Sequence, residues 1–268
     1  MDNTQPLSRK ALNKNQLQIL YLLYKFRFGT TELFVKNQNN KISRQYVNVR
    51  LAILCDQEYI GRKYDSSYRL AGKPATYHLL PKGIKLLKNR PDNFNPKVLK
   101  NLGNDRRAGD RFINHSLQVF DIYCSLKKLY GDELKFFTGS YLRLPRYDYF
   151  PRPLPDAYIS LKRETLEHYF LDYFESSTPF FVIKKRIKYY VSYAEDNLWP
   201  RSSKLPAILL VCDTDELRKR VELEIVRSLD RTWKDITFAT ATKIELRRVE
   251  DKSVWQSLGR KLSLESLS

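Results

Sequence analysis

No apolar run in the sequence approaches the eighteen or so residues that a membrane-spanning helix needs. The first ten residues, MDNTQPLSRK, lack the hydrophobic stretch of a secretion signal. The two absences predict a cytoplasmic protein with no membrane partner. Cysteine is scarce. Cys55, Cys124 and Cys212 are far apart, sit in apolar surroundings and show no CxxC spacing, so they read as buried free thiols rather than zinc ligands or disulfides. The sequence contains neither a GxxxxGK(S/T) phosphate loop nor a GxGxxG turn. It also lacks a GxSxG nucleophile elbow and an HExxH zinc motif. No tyrosine lies beside a histidine cluster, so strand nicking by a relaxase-type tyrosine is not expected. The eighteen tyrosines are spread through predicted helices and strands, which suits packing.

Lysine and arginine, by contrast, are abundant. The 268 residues carry 48 Lys/Arg against 30 Asp/Glu, a formal net charge of +18. Nucleic acid is the natural counter-ion, because each neutralised phosphate releases condensed cations. The charge is uneven: residues 1–90 hold 17 Lys/Arg against 5 Asp/Glu, leaving 31 against 25 in the remainder. Apolar content of 42% and charged content of 29% fit a soluble globular chain.

The basic N-terminal third has a helical period followed by a strand period. Leu17, Leu20, Tyr21, Tyr24 and Phe28 predict a helix over 13–27, ended by Gly29. Thr30 or Thr31 caps a short second helix, and Ser43 caps a third over 43–57. On this third helix Val47, Leu51 and Leu54 face inward. Gln45 and Asn48 fall on the opposite face, with Arg44 and Arg50 at its borders. Residues 59–80 then read as a strand over Tyr59–Tyr64 and a hairpin with arms Tyr68–Leu70 and Thr76–Leu80. Three helices and a hairpin describe a winged helix-turn-helix. In that fold the third helix enters the major groove of double-stranded DNA and the wing tracks the backbone. The expected DNA contacts are Arg44, Gln45, Asn48 and Arg50 on the helix, with Arg62, Lys63, Arg69 and Lys73 on the wing.

Residues 91–111, with two prolines, two glycines and no apolar period, read as a linker. The domains expected are therefore 1–90 for DNA binding and 112–268 for the remainder. In the second domain a helix is predicted over 112–130, strands over 134–144, 156–161 and 167–174, and a helix over 180–195. The apolar run PAILLVC at 206–212 suits a fully buried strand. A charged helix over 213–229, a strand over 236–240 and a closing segment with Trp255 follow. The class is mixed α+β or α/β. The order α-β-β-β-α-β is the core topology of restriction-endonuclease-like folds.

Asp156 and Asp172 stand on two neighbouring predicted strands, and Lys184, Lys185 and Lys188 on the basic helix that follows. These are the parts of a PD-(D/E)xK nuclease, in which paired carboxylates hold Mg²⁺ and a lysine activates water. One part is displaced. The position two residues after Asp172 is Phe174, and an aromatic ring cannot activate water. Lys184 or Lys188 would have to replace the missing lysine. The catalytic candidates are thus Asp156, Asp172, Lys184 and Lys188, with Asp156 and Asp172 as the metal ligands. His115, alone near the start of its helix, reads as a core or capping residue.

The joint order of several short motifs resembles the replication-relaxation family of plasmid and mobile-element proteins. The matching residues are HSLQVFD at 115–121, LPDAY at 154–158, YFLD at 169–172, and the basic helix running to Tyr189, Tyr190 and Tyr193. The ILLVC and TFAT strands and Trp255 complete the series. The resemblance implies a winged helix joined to a nuclease-like domain, DNA binding, and replication or mobilisation proteins as partners. Where the family carries Glu-x-Asp and then Arg-Gly on the third strand, this chain has Asp172, Phe174 and Glu175-Ser176. The reading that follows is a DNA-binding protein whose nuclease-like domain is degenerate. Its rivals are an Mg²⁺-dependent endonuclease using Asp156 and Asp172, and a winged-helix transcriptional regulator.

Overall fold

The computed structural model describes residues 11–90, 94–162, 166–200, 204–229, 236–248, 253–257, 260–262 and 264. Residues 1–10 and 163–165 lie outside them. The chain opens with α1 (Lys14–Phe26), α2 (Thr31–Asn37) and α3 (Arg44–Asp56). Each start is set by a side chain satisfying a free backbone amide. Asn13 and Gln16 form a reciprocal capping box, Thr30 accepts from Leu33 N, and Ser43 accepts from Tyr46 N.

The hairpin differs from the one expected. Strand β1 (Ile60–Lys63) pairs antiparallel with β2 (Thr76–Leu79), while Tyr68–Leu70 belongs to a short helix, α4 (Ser66–Leu70). Asp65 is the reason. Its carboxylate accepts from Tyr68 N and from the Ser67 hydroxyl, so the chain turns helical where alternation suggested a strand. Gly72, at φ 61°, lies just past the end of that turn. Helix α5 (Pro81–Lys88) follows. At Gly83 a Cβ would come within 2.3 Å of the Tyr59 carbonyl oxygen, so the helix can lie against that backbone only with glycine here.

The segment read as a linker holds α6 (Pro96–Leu102), whose Val98, Leu99 and Leu102 are buried. After α7 (Asp110–Tyr130) come β3 (Leu134–Thr138), a single helical turn α8 (Gly139–Leu142), β4 (Ala157–Lys162) and β5 (Leu166–Phe174). The strand predicted over 134–144 therefore stops at Thr138. The remaining elements are α9 (Phe180–Glu195), β6 (Ala207–Cys212), α10 (Asp215–Ser228), β7 (Phe238–Thr242), α11 (Lys243–Arg248), β8 (Trp255–Ser257) and β9 (Arg260–Leu262).

Among the described residues β3 to β9 form one mixed sheet in sequential order. β3, β4 and β5 are antiparallel neighbours, whereas β5, β6 and β7 run parallel. Parallel neighbours need a crossover, and α9 and α10 supply the two. Alternation along β5 divides its side chains between two apolar layers. Tyr169, Leu171 and Tyr173 join Phe120 of α7, whereas Phe170 and Phe174 join Ile183 and Ile187 of α9. The first layer continues into α1, α2 and α3. Phe26 stacks on Phe120 with ring centroids 4.3 Å apart, and Phe34 meets Phe120 edge-on. Polar ties reinforce this joint: Lys36 Nζ pairs with the buried Asp121, and the Tyr24 hydroxyl donates to Ser140 O. No helix among the described residues is long and apolar enough to cross a membrane. All three cysteines are free, and burial pushes the Cys124 and Cys212 thiols up to about 12.

Candidate functional site

Asp156 immediately precedes β4, and Asp172 lies on the adjoining strand β5, so the topology brings the two predicted aspartates together. They meet at the carboxyl ends of the parallel strands, the end where open α/β sheets place their ligands. The Asp156 backbone amide donates to Asp172 Oδ1 at 3.1 Å, and the Tyr173 amide donates to Asp156 Oδ2 at 2.8 Å. Each carboxylate also has a cationic partner. Arg186 Nε donates to Asp172 Oδ2 at 2.6 Å, with a second bond from its terminal nitrogen to Oδ1 at 3.3 Å. The Tyr190 hydroxyl donates to Asp172 Oδ2 at 2.8 Å and accepts from Arg186 at 2.7 Å. Arg186 further donates to the Pro153 carbonyl at 2.6 Å, which ties the loop before Asp156 to α9. Burial works against the guanidinium charge, but the Asp172 carboxylate overrides it and holds Arg186 above its ordinary range. Burial and the same carboxylate raise the Tyr190 phenol, so it stays a neutral donor.

His115 belongs to this site rather than to the core. Its Nε2 lies 2.7 Å from Asp156 Oδ1, and its Nδ1 lies 3.7 Å from Glu175 Oε1. Burial pulls its pKa down. The hydrogen bond to Asp156 and the charges of Asp156, Glu175 and Asp172 pull harder the other way and raise it to about 8. The imidazole is therefore charged at neutral pH. Below pH 6.5 it is charged in both the folded and the unfolded protein, and its stabilisation is complete. Between 6.5 and about 8 only the folded site still favours the proton, so this contribution is lost as pH rises. The expected size is about 1–2 kcal/mol, reduced because the ring is partly solvated. Lys25, whose pKa burial lowers to about 7, slopes the opposite way. The informative quantity is therefore the difference between wild type and His115→Leu in unfolding free energy from pH 6 to pH 9. A wild-type slope identical to that of the variant would remove His115 as its source.

The predicted lysines do not reach the aspartates. Lys184 Nζ pairs with Glu224 of α10 at 3.3 Å, and Lys188 is exposed. Helical geometry accounts for this. Arg186 and Tyr190, four residues apart, share the face that meets Asp172. Lys184 lies two positions from Arg186, about 200° around the helix. Phe174 is buried in the apolar layer with Ile183 and Ile187, leaving its place without an amine.

The donor set also does not fit Mg²⁺, which takes hard oxygen ligands in a near-octahedral shell. Every carboxylate oxygen of Asp156 and Asp172 already meets a hydrogen-bond donor, and each carboxylate already has a cationic partner, Arg186 for Asp172 and His115 for Asp156. Among the described residues no three His, Cys, Asp or Glu side chains are grouped so as to hold a metal.

A second polar set adjoins the first through Tyr173. Its hydroxyl donates to Asp213 Oδ1 at 3.1 Å, and Asp213 also pairs with Lys243 at 2.7 Å and accepts from Ser176. Lys243 donates onward to Gln118 of α7 at 3.0 Å. Sequence reasoning missed His115, Glu175, Arg186, Tyr190, Asp213 and Lys243. The Arg186–Tyr190 spacing was the one local signal, because residues four apart on the helix after an Asp-bearing strand face the same way.

The basic N-terminal residues converge on a different surface. A groove of about 240 Å³ is lined by Arg44 and Asn48 of α3, by Arg62 of β1, and by Tyr64 and Lys73 of the segment that follows. Arg44, Gln45, Asn48, Arg62 and Arg69 are exposed, and Asn48 accepts from the Thr31 hydroxyl. Arg50 instead lies over the Tyr46 ring, half-buried. Lys63 and Lys73 both pair with Asp110 at the start of α7, at 3.0 and 2.9 Å.

No curated protein matches the sequence. The family model described as replication-relaxation matches residues 20–208, a span that takes in α3, His115, both aspartates and Arg186. With well over half of its length matched, the chain belongs to the replication-relaxation family, which suggests a role in the replication or relaxation of mobile elements.

Proposed function

We propose that this chain binds double-stranded DNA of a plasmid or other mobile element, and that its second half is a nuclease-like domain that does not cut. Residues 1–90 would form a winged helix-turn-helix, 91–111 the connection, and 112–268 the nuclease-like part. The observation that carries the DNA-binding reading is the groove between α3 and the β1–β2 ribbon. There Arg44, Arg62 and Lys73 line one concave surface together with Asn48, Tyr64 and a single carboxylate, Glu32. A recognition helix beside a basic wing meets a major groove and its flanking phosphates in this way. Arg62 and Arg69 are the exposed wing cations, whereas Lys63 and Lys73 also anchor the ribbon to α7 through Asp110.

Three contacts support the non-cutting reading. Arg186 and Tyr190 occupy both oxygens of Asp172, His115 occupies Asp156, and Lys184 is committed to Glu224. A nuclease of the PD-(D/E)xK type needs free carboxylates for its metal and an amine beside the water. In this site Arg186 and His115 neutralise the paired carboxylates, and the result is a rigid ionic joint between α7, the sheet and α9.

Fluorescence anisotropy with a labelled duplex and the full chain tests the first part. Binding should weaken steeply as salt is raised, because phosphate contacts release counter-ions. Arg44→Ala should cost about 1–3 kcal/mol if the side chain reads a base edge. Arg69→Ala should weaken all sequences alike. Absence of salt-dependent duplex binding would end the DNA-binding reading. Incubation with supercoiled plasmid and Mg²⁺ or Mn²⁺ tests the second part. Metal-dependent nicking that disappears in both Asp156→Ala and Asp172→Ala would establish an endonuclease instead.

A further inference from the structure

A cavity of about 550 Å³ lies between the end of α1, helices α6 and α7, the start of α8 and the loop at 152–156, and His115 and Asp156 form part of its wall. Its volume is within the range of small-molecule sites, which are apolar pockets carrying a few placed polar groups. The apolar wall includes Phe26, Leu102 and Phe112. The cations Lys25, Arg143 and Arg152 line it as well, and its one carboxylate, Asp156, is already bonded to His115. An apolar, partly aromatic wall beside cations suits one class of ligand, a flat heterocycle carrying a phosphate.

The geometry points to this cavity as the seat of a single unpaired nucleotide of bound DNA. Its base lies against Phe26, Leu102 and Phe112, and its phosphate meets Arg143 and Arg152. The inference rests on the DNA-binding reading, but it concerns a different surface from the α3 groove. A stacked base pair cannot enter a pocket of this kind, so the nucleotide must come from a single strand or be extruded from a duplex.

Gly139 offers a direct way to fill the pocket. It lines the cavity, and a Cβ added there would meet no atom nearer than Arg143 Nε at 4.0 Å. The test measures anisotropy of a short labelled single strand, and of the same sequence as duplex, with wild type, Gly139→Phe and Arg143→Ala. Gly139→Phe and the exposed-site change Arg143→Ala are each expected to weaken the single strand about tenfold, roughly what one stacked base contributes. Duplex affinity should stay unchanged, while Arg44→Ala should give the reverse pattern. Unchanged single-strand affinity in Gly139→Phe, with wild-type thermal unfolding and duplex binding, would overturn the inference. If wild type binds neither probe, the DNA-binding reading fails, and titration with deoxyadenosine monophosphate by saturation-transfer NMR decides the cavity alone. A saturation-transfer signal that is present with wild type and disappears with Gly139→Phe then supports nucleotide binding. No signal with wild type, or equal competition by inorganic phosphate, overturns it.

Discussion

Arg186→Leu is expected to lower the unfolding free energy by about 3–5 kcal/mol, because it leaves the buried Asp172 carboxylate without its counter-charge. The side chains of Asp172 and Arg186 are only 8% and 9% exposed, so water cannot replace the lost guanidinium. The Tyr190 hydroxyl and the Asp156 amide would remain as donors, but neither carries charge. Three elements also loosen at once, because Arg186 joins α9 to β5 and to the Pro153 carbonyl. Replacing both partners, as Asp172→Leu with Arg186→Leu, removes the orphaned charge and should cost less than Arg186→Leu alone. Urea unfolding of the three variants measures this. A loss below about 1 kcal/mol for Arg186→Leu would mean that the pair is solvated and behaves as a surface ion pair.

Phe120→Ala should be comparably severe, at about 3–5 kcal/mol, the usual cost of deleting a large buried ring and leaving a cavity. Phe120 is fully buried, and its ring touches Phe26 of α1 and Phe34 of α2 as well as its own helix neighbour Tyr123. It thus sits where the apolar layer of the sheet runs into the N-terminal helices. The expected result is a lower midpoint with the whole chain still unfolding in one transition. Circular dichroism and tyrosine fluorescence, followed in the same urea series, check it. Two separate transitions in wild type would show that the N-terminal helices unfold independently of the sheet, and that the shared apolar layer couples them weakly.

Most elements were legible in the sequence because their causes are local. The caps Thr30 and Ser43, the α3 face with Val47, Leu51 and Leu54, the apolar run of β6 and the 180–195 helix all rest on spacing within a few residues. The misread hairpin is also local in origin. Asp65 bonding to the Tyr68 amide competes with strand alternation over only five residues, and alternation is a weak signal at that length.

The site was half legible. Asp156 and Asp172 could be placed on adjoining strands, since only a short connection separates the two predicted strands. Their partners could not be assigned, because Lys184, Lys185, Arg186 and Lys188 are equivalent as a run of basic residues. Only the rotation of α9 on the sheet, set by burial of Ile183 and Ile187, directs Arg186 and Tyr190 inward and Lys184 toward Glu224. His115 depends on a longer-range event still, the packing of α7 against the opposite layer of the sheet, which brings its ring to Asp156 across 41 residues of sequence.

By itself, the sequence determined the longer helices and strands (but not the short helices α4, α6 and α8), the basic N-terminal third and the neighbouring placement of two acidic strands. These follow from backbone caps, side-chain period and composition, all short-range properties. Tertiary structure alone decided that the acidic pair is closed by Arg186, Tyr190 and His115. The identity of a buried charge's partner is settled by desolvation and helix orientation, and neither exists until the sheet is covered on both faces.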